Sequence, residues 1–302
     1  MINNIKKLNP LVLKDPKTLV LRVEEEYHNR IRKIAEEIKS REEIRLVLLA
    51  GPSASGKTTS SKLLRKYLSE MGVKTETLSL DDYYKSHEDM PRDEYGMLDF
   101  ESVYSLETDE IITDLSALSK GAQIEVPIFS FPKKCREEHR RKIDSRDGIV
   151  IVEGLHALNP VIISHIDKAH ILKLYVSVVA GFEDESEMKL ESRDIRLLRR
   201  MSRDILYRDS SLENSLNLWS SVIRGEDKYL CPLRHTADIE ICSFHDYELA
   251  LFKGIMHQKL KELPESVPNY LSVLKILHFM EGSEILSPLY IPSDSLMREF
   301  IS

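Results

Sequence analysis

Residues 51–58, Gly-Pro-Ser-Ala-Ser-Gly-Lys-Thr, spell G-x4-G-K-T between an apolar run and a helical one. The run before it, residues 44–50 (IRLVLLA), has the near-continuous aliphatic character of a strand covered on both faces of a parallel sheet. The stretch after it, residues 59–68 (TSSKLLRKYL), predicts the opening of a helix. In such a strand–loop–helix unit, Gly51 and Gly56 let successive backbone N–H groups turn toward an anion. The helix N-terminus adds the positive end of its dipole. Ser53, Ala54, Ser55 and Thr59 complete the cradle. Lys57 can reach β- and γ-phosphates, and the Thr58 hydroxyl can ligate Mg²⁺. The expected ligand is a nucleoside triphosphate.

The rest of the chain narrows the partners. A net charge of −7 argues against nucleic acid or an anionic membrane as a general partner, so phosphate recognition falls to local basic clusters. The three cysteines, Cys135, Cys231 and Cys242, follow neither disulfide nor zinc spacing. That suits a reducing, cytoplasmic setting. The first sixteen residues carry lysines but no apolar core of a secretory signal. No apolar run approaches the ~20 residues that a membrane-spanning helix needs.

Residues 17–40 predict an N-terminal helix, because Val20, Val23, Tyr27, Ile31, Ile34 and Ile38 recur at three- and four-residue steps. That stripe must pack on the body of the chain or on a second subunit, and a homo-oligomer stays open. Between residues 44 and 245, strand candidates at 45–50, 75–80, 124–129, 149–152, 171–178 and 238–242 alternate with helical stretches. This alternation predicts an α/β fold, a doubly wound, mainly parallel sheet with helices on both faces. Residues 1–43 and 246–302 then form N- and C-terminal helical extensions. Within the latter, helices are expected at 247–263 and 269–280, followed by an irregular tail with Pro288 and Pro292.

Ligands of such a sheet gather at the carboxyl ends of its strands. One strand candidate ends in Asp81-Asp82-Tyr83-Tyr84, where a carboxylate can face the phosphate loop and accept a proton from a hydroxyl. Another, Ile149-Val150-Ile151-Val152, ends in Glu153, which can hold Mg²⁺ directly or through water. Further on, Arg193, Arg196, Arg199, Arg200, Arg203 and Arg208 form a cluster, and the first five fall on one side of a predicted helix. They suggest a lid that closes over the triphosphate, paired when open with the acids between Glu183 and Glu191. His156 and Trp219 read as structural residues. No N-K-x-D or LSGGQ-like segment is present, which leaves phosphoryl transfer to a small hydroxyl compound.

Together the segments Gly51–Thr59, SLDDYY at 79–84, LDF at 98–100, VPIFSF at 126–131, VEG at 152–154 and RLLRR at 196–200 resemble the uridine kinase and phosphoribulokinase family of P-loop kinases. The nucleoside-kinase-like branch is the nearest likeness, over about residues 44–251. The resemblance implies ATP as phosphoryl donor, Mg²⁺, and transfer to the 5′-hydroxyl of a ribonucleoside such as uridine or cytidine. It implies Asp81 as catalytic base, Tyr84 and Phe131 beside the acceptor, and Asp99 on the ribose hydroxyls. Arg196, Arg199, Arg200 and Arg203 match the lid region, with Arg199 and Arg203 expected at the transferring group and Arg196 on the acceptor side. Two positions depart from it: Phe129 stands where uridine kinases usually place an acceptor-side tyrosine, and Lys134 near a base-reading histidine. Loss of two hydrogen-bonding groups removes polar readout of the base. A phosphoribulose- or pantothenate-type kinase, and a regulatory module that binds ATP without turnover, are the competing readings.

Overall fold

The computed structural model describes residues 2–130, 133 and 135–301. Five strands form the central sheet: β1 (Leu46–Ala50), β2 (Lys74–Ser79), β3 (Gly148–Glu153), β4 (Ile171–Ser177) and β5 (Ile239–Cys242). All neighbours pair in parallel in the order β5-β4-β1-β3-β2. Successive crossovers therefore leave the central β1 in opposite directions, and a crevice opens beyond the carboxyl ends of the strands at that point.

The residues of β1, β3 and β4 are buried on both faces because each face feeds a different core. Val47, Leu49, Ile151, Leu172 and Leu174 point into one core; Leu46, Leu48, Ala50, Val150 and Val152 point into the other. Helix α3 (Lys57–Glu70), which begins inside the phosphate loop, belongs to the first core. Helix α4 (Thr108–Leu118) covers the second through Ile111, Leu115 and Leu118.

The expected strand at 124–129 is not part of this sheet. Gln123–Val126 pairs antiparallel with Arg141–Asp144, and Phe129–Ser130 with Cys135–Arg136, as small hairpins beside it. Gln123 and Glu125 are exposed there, so the segment cannot take a place covered on both faces. Pro127 interrupts the pairing as well.

The N-terminal stripe packs on its own chain. Helix α2 (Pro16–Ser40) is capped by the Asp15 carboxylate, which accepts the Thr18 N–H at 3.1 Å. Its buried face lies against α3, with Tyr27 and Ser60 hydroxyls 2.6 Å apart and His28 Nδ1 2.8 Å from the Tyr67 hydroxyl. Ahead of it lies a helix that the sequence did not announce, α1 (Ile5–Lys14), with Pro10 inside it. An internal proline ordinarily argues against a helix.

Helices α8 (Glu248–Lys261) and α9 (Tyr270–Glu281) follow the sheet. The tail expected to be irregular ends in a single helical turn at Arg298–Ile301; Leu296 and Met297 just before the turn and Phe300 within it are fully buried in the first core. Among the described residues no helix is long and apolar enough to cross a membrane.

Candidate active site

The phosphate loop owes its shape to contacts that only small residues permit. A Cβ on Gly51 would lie 2.2 Å from the carbonyl oxygen of Val176 on β4, so the loop passes tightly over the neighbouring strand. Ala54 and Gly56 take positive φ angles of 58° and 88°, and such reversals turn adjacent N–H groups into an anion-binding concavity. Ser60 Oγ donates to the Gly56 carbonyl at 2.7 Å while sitting against Tyr27, so α2 braces the loop from behind. Lys57 Nζ donates to the carbonyls of Gly51 at 2.9 Å and Pro52 at 3.1 Å. Burial pushes its pKa down, opposed by the nearby charges of Glu153, Asp81 and Glu299. Ser55 Oγ is buried without a hydrogen-bond partner, which fits a loop built to receive phosphate oxygens.

Two strand ends bring carboxylates to this lysine. The two aspartates after β2 divide. Asp82 accepts the Phe129 N–H at 3.2 Å and so anchors the small hairpin. Asp81 instead faces Lys57, Arg208 and Arg203, and burial raises its pKa against their pull. Glu153, the last residue of β3, accepts from Ser79 Oγ at 3.0 Å. Its pKa is also raised, first by burial and then by the charge of Asp81. A carboxylate pair of this kind, close to an exposed Thr58 at the start of α3, suits a divalent cation that would relieve the repulsion. Among the described residues no group of three or more His, Cys, Asp or Glu side chains could hold a metal by itself. A metal kept by Thr58, Glu153 and phosphate oxygens matches the way Mg²⁺ is usually bound.

Further out, Asp99 Oδ2 accepts from the Tyr229 hydroxyl at 2.9 Å, and Oδ1 from the Glu101 N–H at 3.2 Å. Tyr84 donates its hydroxyl to the Phe100 carbonyl at 3.2 Å, and its ring lies 5.8 Å from that of Phe129. Glu101 is pushed up to about 7, chiefly by burial, despite the charges of Arg200 and Lys57. His156 is buried against Tyr229 and held neutral, its pKa lowered to about 4 by desolvation. Phe131, expected at the acceptor, and Lys134 lie outside the described residues.

The arginine helix α6 (Ser192–Tyr207) is not an open lid. Arg199, expected at the transferring phosphoryl group, is fully buried and bonds both oxygens of Glu248, at 2.7 and 3.0 Å, and the Ser243 carbonyl at 2.8 Å. Arg196, expected beside the acceptor, bonds Glu226 at 2.6 Å and the Ser53 carbonyl at 3.2 Å, under the phosphate loop. Arg200 donates to Ser53 Oγ at 2.9 Å. Five like charges cannot share one helix face without counter-charges, and Glu226, Glu248 and Asp204 supply them here in place of the upstream acids. Of the arginines, Arg203 and Arg208 are the two whose charge, with that of Lys57, reaches Asp81.

Tyr229 and Glu101 have no part in the sequence reading, and Arg208 stands in the arginine cluster without a role of its own. Tyr229 lies 130 positions from Asp99, so no local pattern could have joined them. Glu101, two residues after Asp99, stood within reach of the motifs.

A parallel sheet carrying this loop, with carboxylates at the ends of β3 and β2 on one side of β1, defines a P-loop phosphotransferase. The profile of the phosphoribulokinase / uridine kinase family matches residues 46–250, and the chain belongs to that family. It is 30% identical over 220 residues to a uridine kinase of Staphylococcus aureus, covering 72% of this chain and 96% of that one. Among solved structures, a candidate fructose transport system kinase from Silicibacter sp. TM1040 superposes with a TM-score of 0.52 at 16% identity, over 70% of this chain and 98% of that one. YFH7 of Saccharomyces cerevisiae, described as a candidate P-loop kinase with a circular permutation, gives 0.51 at 12% identity, over 71% and 99%. At those identities the two structures speak for the fold alone. The chain is an ATP-dependent phosphotransferase with an alcohol group as acceptor.

Proposed function

We propose that this kinase transfers the γ-phosphoryl group of ATP to the 5′-hydroxyl of a ribonucleoside. The observation that carries this reading is the acceptor side of the crevice, where Asp99 is fixed by Tyr229 and by a backbone N–H, beside Glu101 and the ring of Tyr84. A fixed carboxylate keeps lone pairs for a vicinal diol. A sugar phosphate would meet like charge at Asp99. The uridine kinase likeness points the same way.

In this reading the N–H groups of residues 51–59 and Lys57 hold the donor phosphates, and Thr58 and Glu153 hold Mg²⁺. The metal would supply charge neutralisation on the donor phosphates. Asp81 orients the acceptor hydroxyl and takes its proton as the new oxygen–phosphorus bond forms and the β–γ bridge breaks. Arg203 and Arg208 then balance the charge around Asp81 and the transferring group. Positioning and fixed electrostatics account for most of the rate. Arg199 and Arg196 contribute by holding α6 under the loop.

The deciding experiment measures ADP release with uridine, cytidine, inosine, adenosine, pantothenate and ribulose 5-phosphate. Turnover with nucleosides alone supports the proposal. Turnover confined to ribulose 5-phosphate or pantothenate replaces it with the sibling activity, and ATP binding without ADP release from any acceptor leaves a regulatory module.

A further inference from the structure

Residues 293–301 approach the phosphate loop from the C-terminal end of the chain. Thr59 Oγ1 donates to Glu299 Oε2 at 2.6 Å. Leu296 fills the space over Gly56 so closely that a Cβ there would lie 2.5 Å from its Cδ1. The Phe300 ring stacks 5.2 Å from the Arg199 guanidinium, and its carbonyl accepts from Ser202 Oγ at 2.6 Å. The segment is pinned at its start by Lys66 to Asp294 at 3.2 Å and by Ser295 Oγ to Glu24 at 2.6 Å.

Glu299 thus puts a carboxylate on the hydroxyl next to Thr58, at the positive end of α3, and its charge is felt by Lys57, Glu153 and Arg208. A carboxylate in that place takes the Thr59 hydroxyl at the positive end of α3, where an incoming phosphate would also be drawn. Beside it lies a cleft of about 570 Å³ lined by Thr58, Thr59, Arg203, Arg208, Arg298 and Glu299. That volume lies within the range that holds small ligands. One wall of the cleft is the C-terminal segment itself.

We propose that residues 293–301 form an autoinhibitory strap, in which Glu299 occupies the place of the donor phosphate nearest Thr59 and must be displaced for MgATP to bind. The inference rests on the reading of residues 51–59 as the triphosphate site. Removal of the charge with the shape kept, in Glu299→Gln, removes one like-charge repulsion against the incoming phosphates. In a partly screened site this tightens MgATP binding by about tenfold.

The test is calorimetric titration of MgATP into the full chain and into Glu299→Gln, with hydrogen exchange of wild-type residues 293–301 recorded with and without saturating MgATP. The exchange measurement needs no variant, so a misfolded substitution does not remove the test. Tighter binding in Glu299→Gln together with faster exchange in the strap is the expected result. MgATP binding that is equal or weaker in a folded Glu299→Gln, or strap amides that become slower, makes the segment a fixed wall of the donor site and overturns the proposal. Failure of both proteins to bind MgATP overturns the nucleotide reading and the strap with it.

Discussion

The Tyr229 hydroxyl lies 2.9 Å from Asp99 Oδ2, and this bond fixes a carboxylate whose other oxygen accepts the Glu101 N–H. If Asp99 holds the acceptor diol, Asp99→Asn weakens acceptor binding by roughly ten- to a hundredfold while ATP affinity stays unchanged, the size expected for a lost charge-assisted pair. Tyr229→Phe frees the same carboxylate and gives a smaller rise in acceptor KM. Steady-state kinetics with each substrate varied in turn check this. Equal losses for ATP and acceptor would mean that the loop as a whole had collapsed.

Lys57 and Asp81 divide donor binding from chemistry. Lys57→Ala is expected to lower turnover by about a hundredfold or more, the scale of a lost electrostatic contact to the transferring group. Asp81→Asn keeps the shape but cannot take the proton, so it abolishes transfer and leaves ATP binding intact. Single-turnover measurements beside ATP titrations separate the two. A rate near that of the wild type in Asp81→Asn assigns the base elsewhere.

What the sequence disclosed follows a physical rule. The phosphate loop and Glu153 lie at the ends of buried strands, and Asp81 at the end of the half-exposed edge strand β2, where period and spacing are read directly from consecutive residues. The small hairpins at Gln123–Val126 and Phe129–Ser130 were misplaced because β-propensity does not tell a covered strand from a half-exposed one. The arginine stripe was visible, but its counter-charges were not. Glu248 and Glu226 pair with it from later elements, 49 and 30 positions away, and only the fold brings them there. The C-terminal tail concealed most: its prolines suggested disorder of form, while Leu296, Met297 and Phe300 complete the core behind the loop.

Mg²⁺ binding is expected to weaken as the solution is acidified. Burial and the charge of Asp81 raise Glu153 above the ordinary carboxylate range, and a proton on Glu153 must leave before the cation is held. Apparent Mg²⁺ affinity in the nucleotide complex therefore falls with pH, by up to about tenfold per unit once Glu153 is mostly protonated. Glu153→Gln lowers affinity and flattens this dependence. Titrations of Mg²⁺ at several pH values read it out, and an unchanged slope in Glu153→Gln would remove the residue from the metal side.

Glu101 carries a stability cost of opposite sign to that of an ordinary salt-bridged acid. Its folded pKa of about 7 lies above the usual 4.5, so the folded state binds its proton more tightly than the unfolded chain does. The stabilising contribution is complete below about pH 4.5 and is lost as pH rises through about 7. Glu101→Gln should then raise stability at pH 8 by on the order of 2 kcal/mol, after allowance for solvent screening, and change little at pH 4. Thermal melts of the ligand-free protein at the two pH values test it. A larger gain at pH 4 than at pH 8 would reverse the assignment.

Arg199 and Glu248 form a fully buried pair, and the cost of breaking it distinguishes an anchor from a catalytic lid. Glu248→Ala leaves the guanidinium buried with only the Ser243 oxygens and the Ala54 carbonyl as partners. Loss of one partner from such a pair costs about 3–5 kcal/mol, which lowers the melting temperature by roughly 10 °C in a chain of this size. Replacement of both, as Arg199→Met with Glu248→Leu, removes the stranded charge and should recover much of that loss. An anchor predicts that the double variant, once folded, keeps substantial turnover at low temperature. If its stability recovers while transfer is abolished, Arg199 belongs to the reacting centre after all.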